Sequence, residues 1–324
     1  MNGEKEMIPI LGIHHVTAIA SNPQRNLDFY REVLGLRLVK RTVNFDDPET
    51  YHFYFGDEVG TPGTILTFFP WLFASPGRTG AGMATTTSFN VPDASLGYWE
   101  ERLKKLGIPV KREPTRFEEE VLAFSDPDGL NLEIVGHTNT RAPHPWQEAA
   151  VPSQHSIRGF YSVTLSEQGC EKTAELLSIM GFQKIAEDGN RFRFDVGERG
   201  ASARLDLLWT PQAPHGDMGA GSVHHVAFRV RDDASQLDWR KFLVEKELHV
   251  TPVRDRIYFH SIYFREPGGV LFELATDPPG FALDEPIEAL GQSLKLPPWL
   301  ESRRSRLEKS LPAIELHKPV GDRK

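Results

Sequence analysis

Cysteine is nearly absent from this 324-residue chain: Cys170 stands alone, so no internal disulfide can form. A reducing compartment such as the cytoplasm is the simplest reading. No adjacent base activates Cys170, which reads as a small buried apolar residue and not as a nucleophile. Positive charge is also short. The formal net charge is -8 and no basic stripe runs along the chain, which excludes nucleic acid as a partner. No apolar run approaches the ~18 residues that a membrane span needs. The start, MNGEKEMIPI, mixes charges and holds no apolar segment of signal-peptide length. The glycine-rich pieces SPGRTGAG and GDMGAGS lack the strand-to-helix context of a phosphate loop and read as plain loops, so no organic cofactor is implied.

What is present is a repeat. With 39% hydrophobic and 25% charged residues the composition is that of a globular protein, and the length suits two domains. One pattern occurs four times: a strand, an amphipathic helix closed near a glycine, then three strands. The first copy reads HHVTAIA, NPQRNLDFYREVLGL, RLVKRTVNF, TYHFYFGD and GTILTFFPW, with Gly35 ending its helix. The others begin at TTTSFNV, GFYSVTLS and VHHVAFRV. The expected fold is α+β, four βαβββ modules forming two cupped-sheet barrels. Each module is too small to bury much surface alone, so modules must pair. By sequence the first two modules fill 10–140, a Pro-bearing linker covers 141–156, the other two fill 157–280, and a charged, Pro-rich tail, docked or frayed, covers 281–324. Exposed sheet edges and the aromatic run TFFPWLF leave room for a homodimer.

The first and fourth modules share a His-His-Val. Side chains alternate faces along a strand. His14, Val16 and Ala18 would fall on the helix side, as would His224, Val226 and Phe228. His15 and His225 would then face into the cup. In the last strand of the fourth module, GGVLFELAT, Glu273 faces away from Val270, Phe272 and Leu274. A carboxylate at the centre of a strand is costly unless paired or metal-bound. Two imidazoles and one carboxylate form the donor set of the non-haem Fe(II) facial triad, and Mn(II) suits it as well. A single strand histidine is more often a core residue, and a single strand Glu, such as Glu133, an ion-pair partner. Recurrence at equivalent positions is what favours the metal. The third module carries Phe160 and Tyr161 where the pair would stand, and Thr67 occupies the place of Glu273 in the first. All ligands therefore come from modules one and four, which must face each other, leaving two and three to pair.

The stretches IHHVT, LVKRTVNFD, YHFYFGDEVGTPGTILTFFP, GNRFRF, VHHVAF and REPGGVLFELATDPPGF resemble the vicinal oxygen chelate superfamily (glyoxalase, bleomycin resistance and extradiol dioxygenase proteins). Within it the chain is similar to the hydroquinone-type ring-cleaving dioxygenases, over roughly residues 10–295. The resemblance implies an iron-dependent dioxygenase acting on a small aromatic with O2, and Fe(II) bound by His15, His225 and Glu273. It also implies that Tyr263 lies by the metal, that Arg256 lines the substrate pocket, and that His14, Thr17 and His224 lie beside the ligands. Strand parity puts Tyr263 and Ser261 on one face and His260 on the other, so His260 reads as structural.

Three alternatives share the fold. A glyoxalase-type lyase or isomerase generally takes four protein ligands including a second Glu, against which Thr67 argues. A two-domain extradiol catechol dioxygenase takes all its ligands from the C-terminal half, against which Phe160 and Tyr161 argue. A small-molecule binding protein without turnover would have no use for an open-sided triad.

Overall fold

In the computed structural model the described residues are 8–137, 144–196 and 204–317. Residues 1–7, 138–143, 197–203 and 318–324 lie outside them, the second stretch including the start of the expected linker. The first module supplies β1 (Ile13–Ala20), α1 (Pro23–Asp28), β2 (Arg37–Asn44), β3 (Asp47–Gly56) and β4 (Ile65–Pro70). Its helix is shorter than the apolar spacing suggests. The Asn22 side chain accepts from Arg25 N to cap α1, and Phe29–Val33 continue as a wider π-turn before Gly35 takes a positive φ of 69°. The second supplies β5 (Met83–Val91), α2 (Leu96–Lys105), β6 (Lys111–Arg116), β7 (Glu119–Ser125) and β8 (Asn131–Gly136). The third supplies β9 (Phe160–Glu167), α3 (Glu171–Ile179), β10 (Gln183–Asp188), β11 (Arg191–Asp195) and β12 (Arg204–Trp209). The fourth supplies β13 (Val223–Val230), α4 (Asp233–Glu245), β14 (Arg254–Asp255), β15 (His260–Arg265) and β16 (Leu271–Thr276).

The modules pair as expected. One eight-stranded sheet runs β14-β15-β16-β13-β1-β4-β3-β2 and joins the fourth module to the first; the other runs β10-β11-β12-β9-β5-β8-β7-β6 and joins the third to the second. Each sheet therefore draws one module from either side of the 141–156 segment. The helix-facing sides of both sheets merge into one hydrophobic core, with Val16, Phe228 and Phe272 from the first and Phe89, Val163 and Leu207 from the second. The inner face of the first sheet holds a smaller cluster that includes Ala227, Tyr258, Phe259, Ala275 and Phe281.

The two glycine-rich pieces have a packing reason. They carry the chain from one sheet to the other and pass side by side, with Arg78 N donating to Asp217 O at 2.9 Å. A Cβ on Gly80 would stand 2.5 Å from Gly216 N and Pro214 O, so only glycine permits the backbones to approach.

The tail is docked. It lies along β2, the edge strand of the first sheet, which it covers. Arg37 donates to Ile287 O at 2.6 Å and Arg41 pairs with Leu294 through a backbone bridge. The fully buried Lys40 ammonium donates to Asp284 Oδ1 at 2.6 Å and to Glu285, and sits 4.8 Å from the centre of the Tyr258 ring. Removing one partner of a buried ion pair strands the other, at a cost of about 3–5 kcal/mol. Lys40→Met should therefore lower the denaturant midpoint at an unchanged slope and open the segment after Phe281 to limited proteolysis. A wild-type midpoint and digestion pattern would show that Lys40 does not hold the tail.

Candidate metal centre

Pairing of β1 with β13 brings residues 210 positions apart into contact. His225 lies across from Thr17, and on the next strand Glu273 lies beside Ala227 and Tyr263. His15 Nε2 is 3.2 Å and His225 Nε2 2.9 Å from Glu273 Oε2, and the two Nε2 atoms are 3.4 Å apart. All three side chains are buried, and one ligand atom from each falls within 4.8 Å of the others. Glu273 Oε2 meets no donor besides those two ring nitrogens. Burial opposes ionisation of Glu273, but the two imidazoles outweigh it and hold the carboxyl well below the ordinary range. Burial holds His225 below its ordinary value, partly offset by Glu273. Two imidazole nitrogens and a carboxylate oxygen aimed at one buried point are the donors of a metal site.

Strand parity alone misplaces the other histidine of each pair. The ladder steps from Ile13–Phe228 to His15–Ala227 and from Thr17–His225 to Ala18–Val223, so His14 and His224 are each the extra residue of a β-bulge. A bulge re-aims a side chain, and neither His14 nor His224 turns to the helix side as the alternation predicts. His14 Nδ1 lies 2.9 Å from His15 Nδ1, and His224 Nδ1 2.8 Å from His225 Nδ1. A metal held at Nε2 would leave each ligand imidazole its hydrogen on Nδ1, to be donated to the neighbouring ring. The second sheet repeats both bulges, at Thr85 and Tyr161. Tyr161 and Ser162, and not Phe160 and Tyr161, therefore hold the places of the pair.

A cavity of about 440 Å³ opens from His15 and His225 and is lined by Phe45, Phe69, Trp71, Phe259, His224, Arg256 and Tyr263 among others. Of the aromatic run TFFPWLF, Phe69 and Trp71 belong to the cavity wall and Phe68 to the core, leaving Leu72 and Phe73 exposed. The Tyr263 ring meets the His225 ring edge-on with centroids 5.6 Å apart, and its phenol, raised above the ordinary value by burial, accepts from Arg256 Nε at 3.2 Å. Arg256 also reaches Asp46 at 3.0 Å and Arg254 reaches it at 3.2 Å, which joins the two modules across the cavity. Thr17 Oγ1 is 2.8 Å from Thr67 Oγ1, so the hydroxyl standing where the first module might carry a carboxylate is already engaged. His260 points to the helix side and bonds Asp233 at 2.6 Å, away from the cavity.

Two site residues escape the sequence reading. Ser261 donates to Glu273 Oε1 and leaves Oε2 for the histidines; its shared parity with Tyr263 is the signal that could have found it. His52 lines the cavity with Nε2 2.9 Å from Thr67 Oγ1 and Nδ1 2.9 Å from the Tyr54 hydroxyl. Nothing in YHFYF separates it from a strand histidine of the core.

The second sheet has carboxylates at corresponding points, Glu133 beside Ser88 and Asp206 beside Thr164. Both are neutralised by arginine. Arg193 grips Asp206 at 2.7 Å, Arg116 bonds Glu133, and Ser88 donates to Glu133 at 2.6 Å. No imidazole takes part, and His15, His225 and Glu273 form the one such ligand cluster among the described residues.

The family model of the Glyoxalase/Bleomycin resistance protein/Dioxygenase superfamily matches residues 12–134 and 176–274. The chain is 48% identical over 308 residues to "Putative ring-cleaving dioxygenase MhqO" of Bacillus subtilis, covering 94% of this chain and 97% of that one. It is 37% identical over 309 residues to chlorohydroquinone/hydroquinone 1,2-dioxygenase of Sphingobium indicum, covering 93% and 95%. A crystal structure of a B. subtilis protein superposes with a TM-score of 0.92 at 47% identity, covering 96% of this chain and 99% of that chain. Glyoxalase I of Zea mays superposes at 0.60 with 16% identity over 82% of this chain and 92% of its own, a likeness of fold alone. The paired cupped sheets, the convergent donors and these relatives together show that the chain belongs to the glyoxalase, bleomycin resistance and dioxygenase superfamily, in its ring-cleaving dioxygenase branch.

Proposed function

We propose that the protein inserts O2 into a hydroquinone-type, dihydroxylated aromatic and opens its ring, using Fe(II) held by His15, His225 and Glu273, with Mn(II) also suited to the donor set. The observation that carries this reading is the meeting of those three groups at one buried point beside a ring-sized cavity. The Sphingobium relative, named for hydroquinone and chlorohydroquinone, supports the substrate class. When bound, the metal would supply positive charge that acidifies a ring hydroxyl and a place for O2 to bind.

The side chains have separable tasks in this reading. His14 and His224 set the tautomers of the two ligand imidazoles, and Ser261 sets the orientation of Glu273. Tyr263, kept as a neutral phenol by burial, donates a hydrogen bond to oxygen at the reacting centre, and Arg256 orients it. The aromatic walls exclude water and fit a flat ring. A glyoxalase-type reaction is disfavoured because Thr67 bonds Thr17 and His52, leaving no second carboxylate. An extradiol layout confined to the C-terminal half is disfavoured because its third module offers Tyr161 and Ser162. A cytoplasmic setting belongs to the same proposal and accords with the single buried Cys170; no helix among the described residues is long and apolar enough to cross a membrane.

Iron-loaded protein assayed at an oxygen electrode against a panel of hydroquinones and catechols should consume O2 with the hydroquinones, and ring opening should show in the ultraviolet. A full iron load with no uptake on any member would refute the proposal. Glu273→Gln should abolish iron retention, measured by metal analysis after dialysis, with an unchanged circular dichroism spectrum; an iron-replete, active variant would break the ligand assignment. Ser261→Ala should weaken metal affinity by about 10–100-fold, the usual effect of losing a group that orients a ligand. Titration with a competing chelator measures this, and wild-type affinity would remove Ser261 from the site.

A further inference from the structure

β2 and β14 are the outermost strands of the first sheet, at opposite edges, yet side chains beside them meet over the cavity. Asp46 follows β2 by two residues, and its backbone N–H donates to Asn44 Oδ1 at 3.0 Å, which fixes the turn. On the other side Arg256 N–H donates to Phe259 O at 3.0 Å and Ile257 takes a positive φ of 68°, a tight turn that follows β14. Asp46 Oδ2 accepts from Arg256 Nη2 at 3.0 Å, and Asp46 Oδ1 accepts from Arg254 Nη1 at 3.2 Å. One carboxylate of the first module therefore holds two guanidiniums of the fourth.

Imidazoles aside, the charged side chains that line the cavity are Arg254, Arg256, Asp46 and Asp47, and their charges cancel. Asp47 is engaged within its own module, where its Oδ2 accepts from Trp71 Nε1 at 2.7 Å and from Thr50 Oγ1 at 2.8 Å. Both guanidiniums are committed to Asp46, and Arg256 also to the Tyr263 hydroxyl. We propose that Asp46 restricts the cavity to uncharged rings: it denies both guanidiniums to a substrate carboxylate and repels that carboxylate with its own charge. The inference rests on the ring-cleavage reading above for the identity of the ring.

A carboxylated ring entering this cavity would find both cations taken and Asp46 in front of it. A charge drawn out of water without a partner is costly, and contact with a like charge adds to the cost. An uncharged ring of the same shape meets neither penalty. The Arg256 side chain is only 17% exposed, and its Nε bonds the Tyr263 hydroxyl, whose ring lies against the His225 ring. The ion pair thus reaches from the mouth to the wall beside the metal centre. Asp46 itself is 58% exposed, so water screens its hold on the guanidiniums and the discrimination is graded, not absolute. Once Asp46 is neutralised, the same two guanidiniums become a fork that suits a carboxylate.

The test reads binding to iron-loaded protein by calorimetry without O2, using two rings of equal size, 2,5-dihydroxyphenylacetate and its uncharged amide. Wild type should bind the amide at least about tenfold more tightly than the acid. Asp46→Asn should remove or reverse that preference, and added salt should weaken the gain in acid binding. Arg254→Gln introduced beside Asp46→Asn should take back most of the gain, which a general loosening of the mouth would not do. Equal binding of acid and amide by wild type, or an unchanged ratio in Asp46→Asn, would overturn the proposal. Wild type that binds neither ring would overturn it too, since the mouth would then select on size. If Asp46→Asn fails to fold, Asp46→Ser carries the same comparison. O2 uptake is measured separately with hydroquinone: its absence in wild type strikes the ring-cleavage reading, while the acid-to-amide ratio still judges Asp46.

Discussion

The antiparallel seam between β1 and β13 is the constraint on which the site depends. It places a histidine from the start of the chain against one from its last third. Because the two strands run antiparallel and each carries the same His-His-Val, the seam has local two-fold character. Each strand bulges at the first histidine of its pair, which lets four imidazoles crowd around one point. In a regular ladder half of them would lie in the hydrophobic core with Val16 and Phe228. Burial then makes the converging lone pairs and the carboxylate costly without a cation, so the same packing that builds the site creates its need for a metal.

The second sheet shows what the architecture does without that chemistry. Strand order, bulges and carboxylate positions are repeated, yet the cup is closed by guanidinium groups. Arg193 alone serves Asp206 and Glu119 and stacks 4.3 Å over Phe117. A buried carboxylate must meet a cation of some kind, and here arginine supplies it from within the chain. The second sheet, its carboxylates ion-paired, is fused to the first through the shared core.

Much of this was legible beforehand, and the reasons are particular. Module boundaries follow from hydrophobic period and glycine position. The alternation in GGVLFELAT puts Glu273 opposite Phe272 whatever surrounds the strand. Thr67 in place of a second carboxylate carried the pairing of modules one with four, because ligands confined to two modules demand that those modules meet. The helix-side placement of His14 and His224 was wrong, since a bulge is an added residue that no local propensity announces. Ser261 was within reach of parity. His52 was not, because a histidine between aromatic residues looks the same whether its neighbours are apolar or two hydroxyls from other strands.

The sequence by itself determined which residues could bind a metal, which face of each strand they occupy, and that the chain repeats one unit four times, because side-chain chemistry and backbone period are local properties. Only the tertiary structure decided that the imidazoles pair through Nδ1, that one oxygen of Glu273 is left facing two ring nitrogens, that Thr67 bonds Thr17 and His52, and that the tail seals β2 through Lys40. Those depend on strand register and on contacts between residues far apart in the chain, and a single extra residue in a ladder is enough to change them.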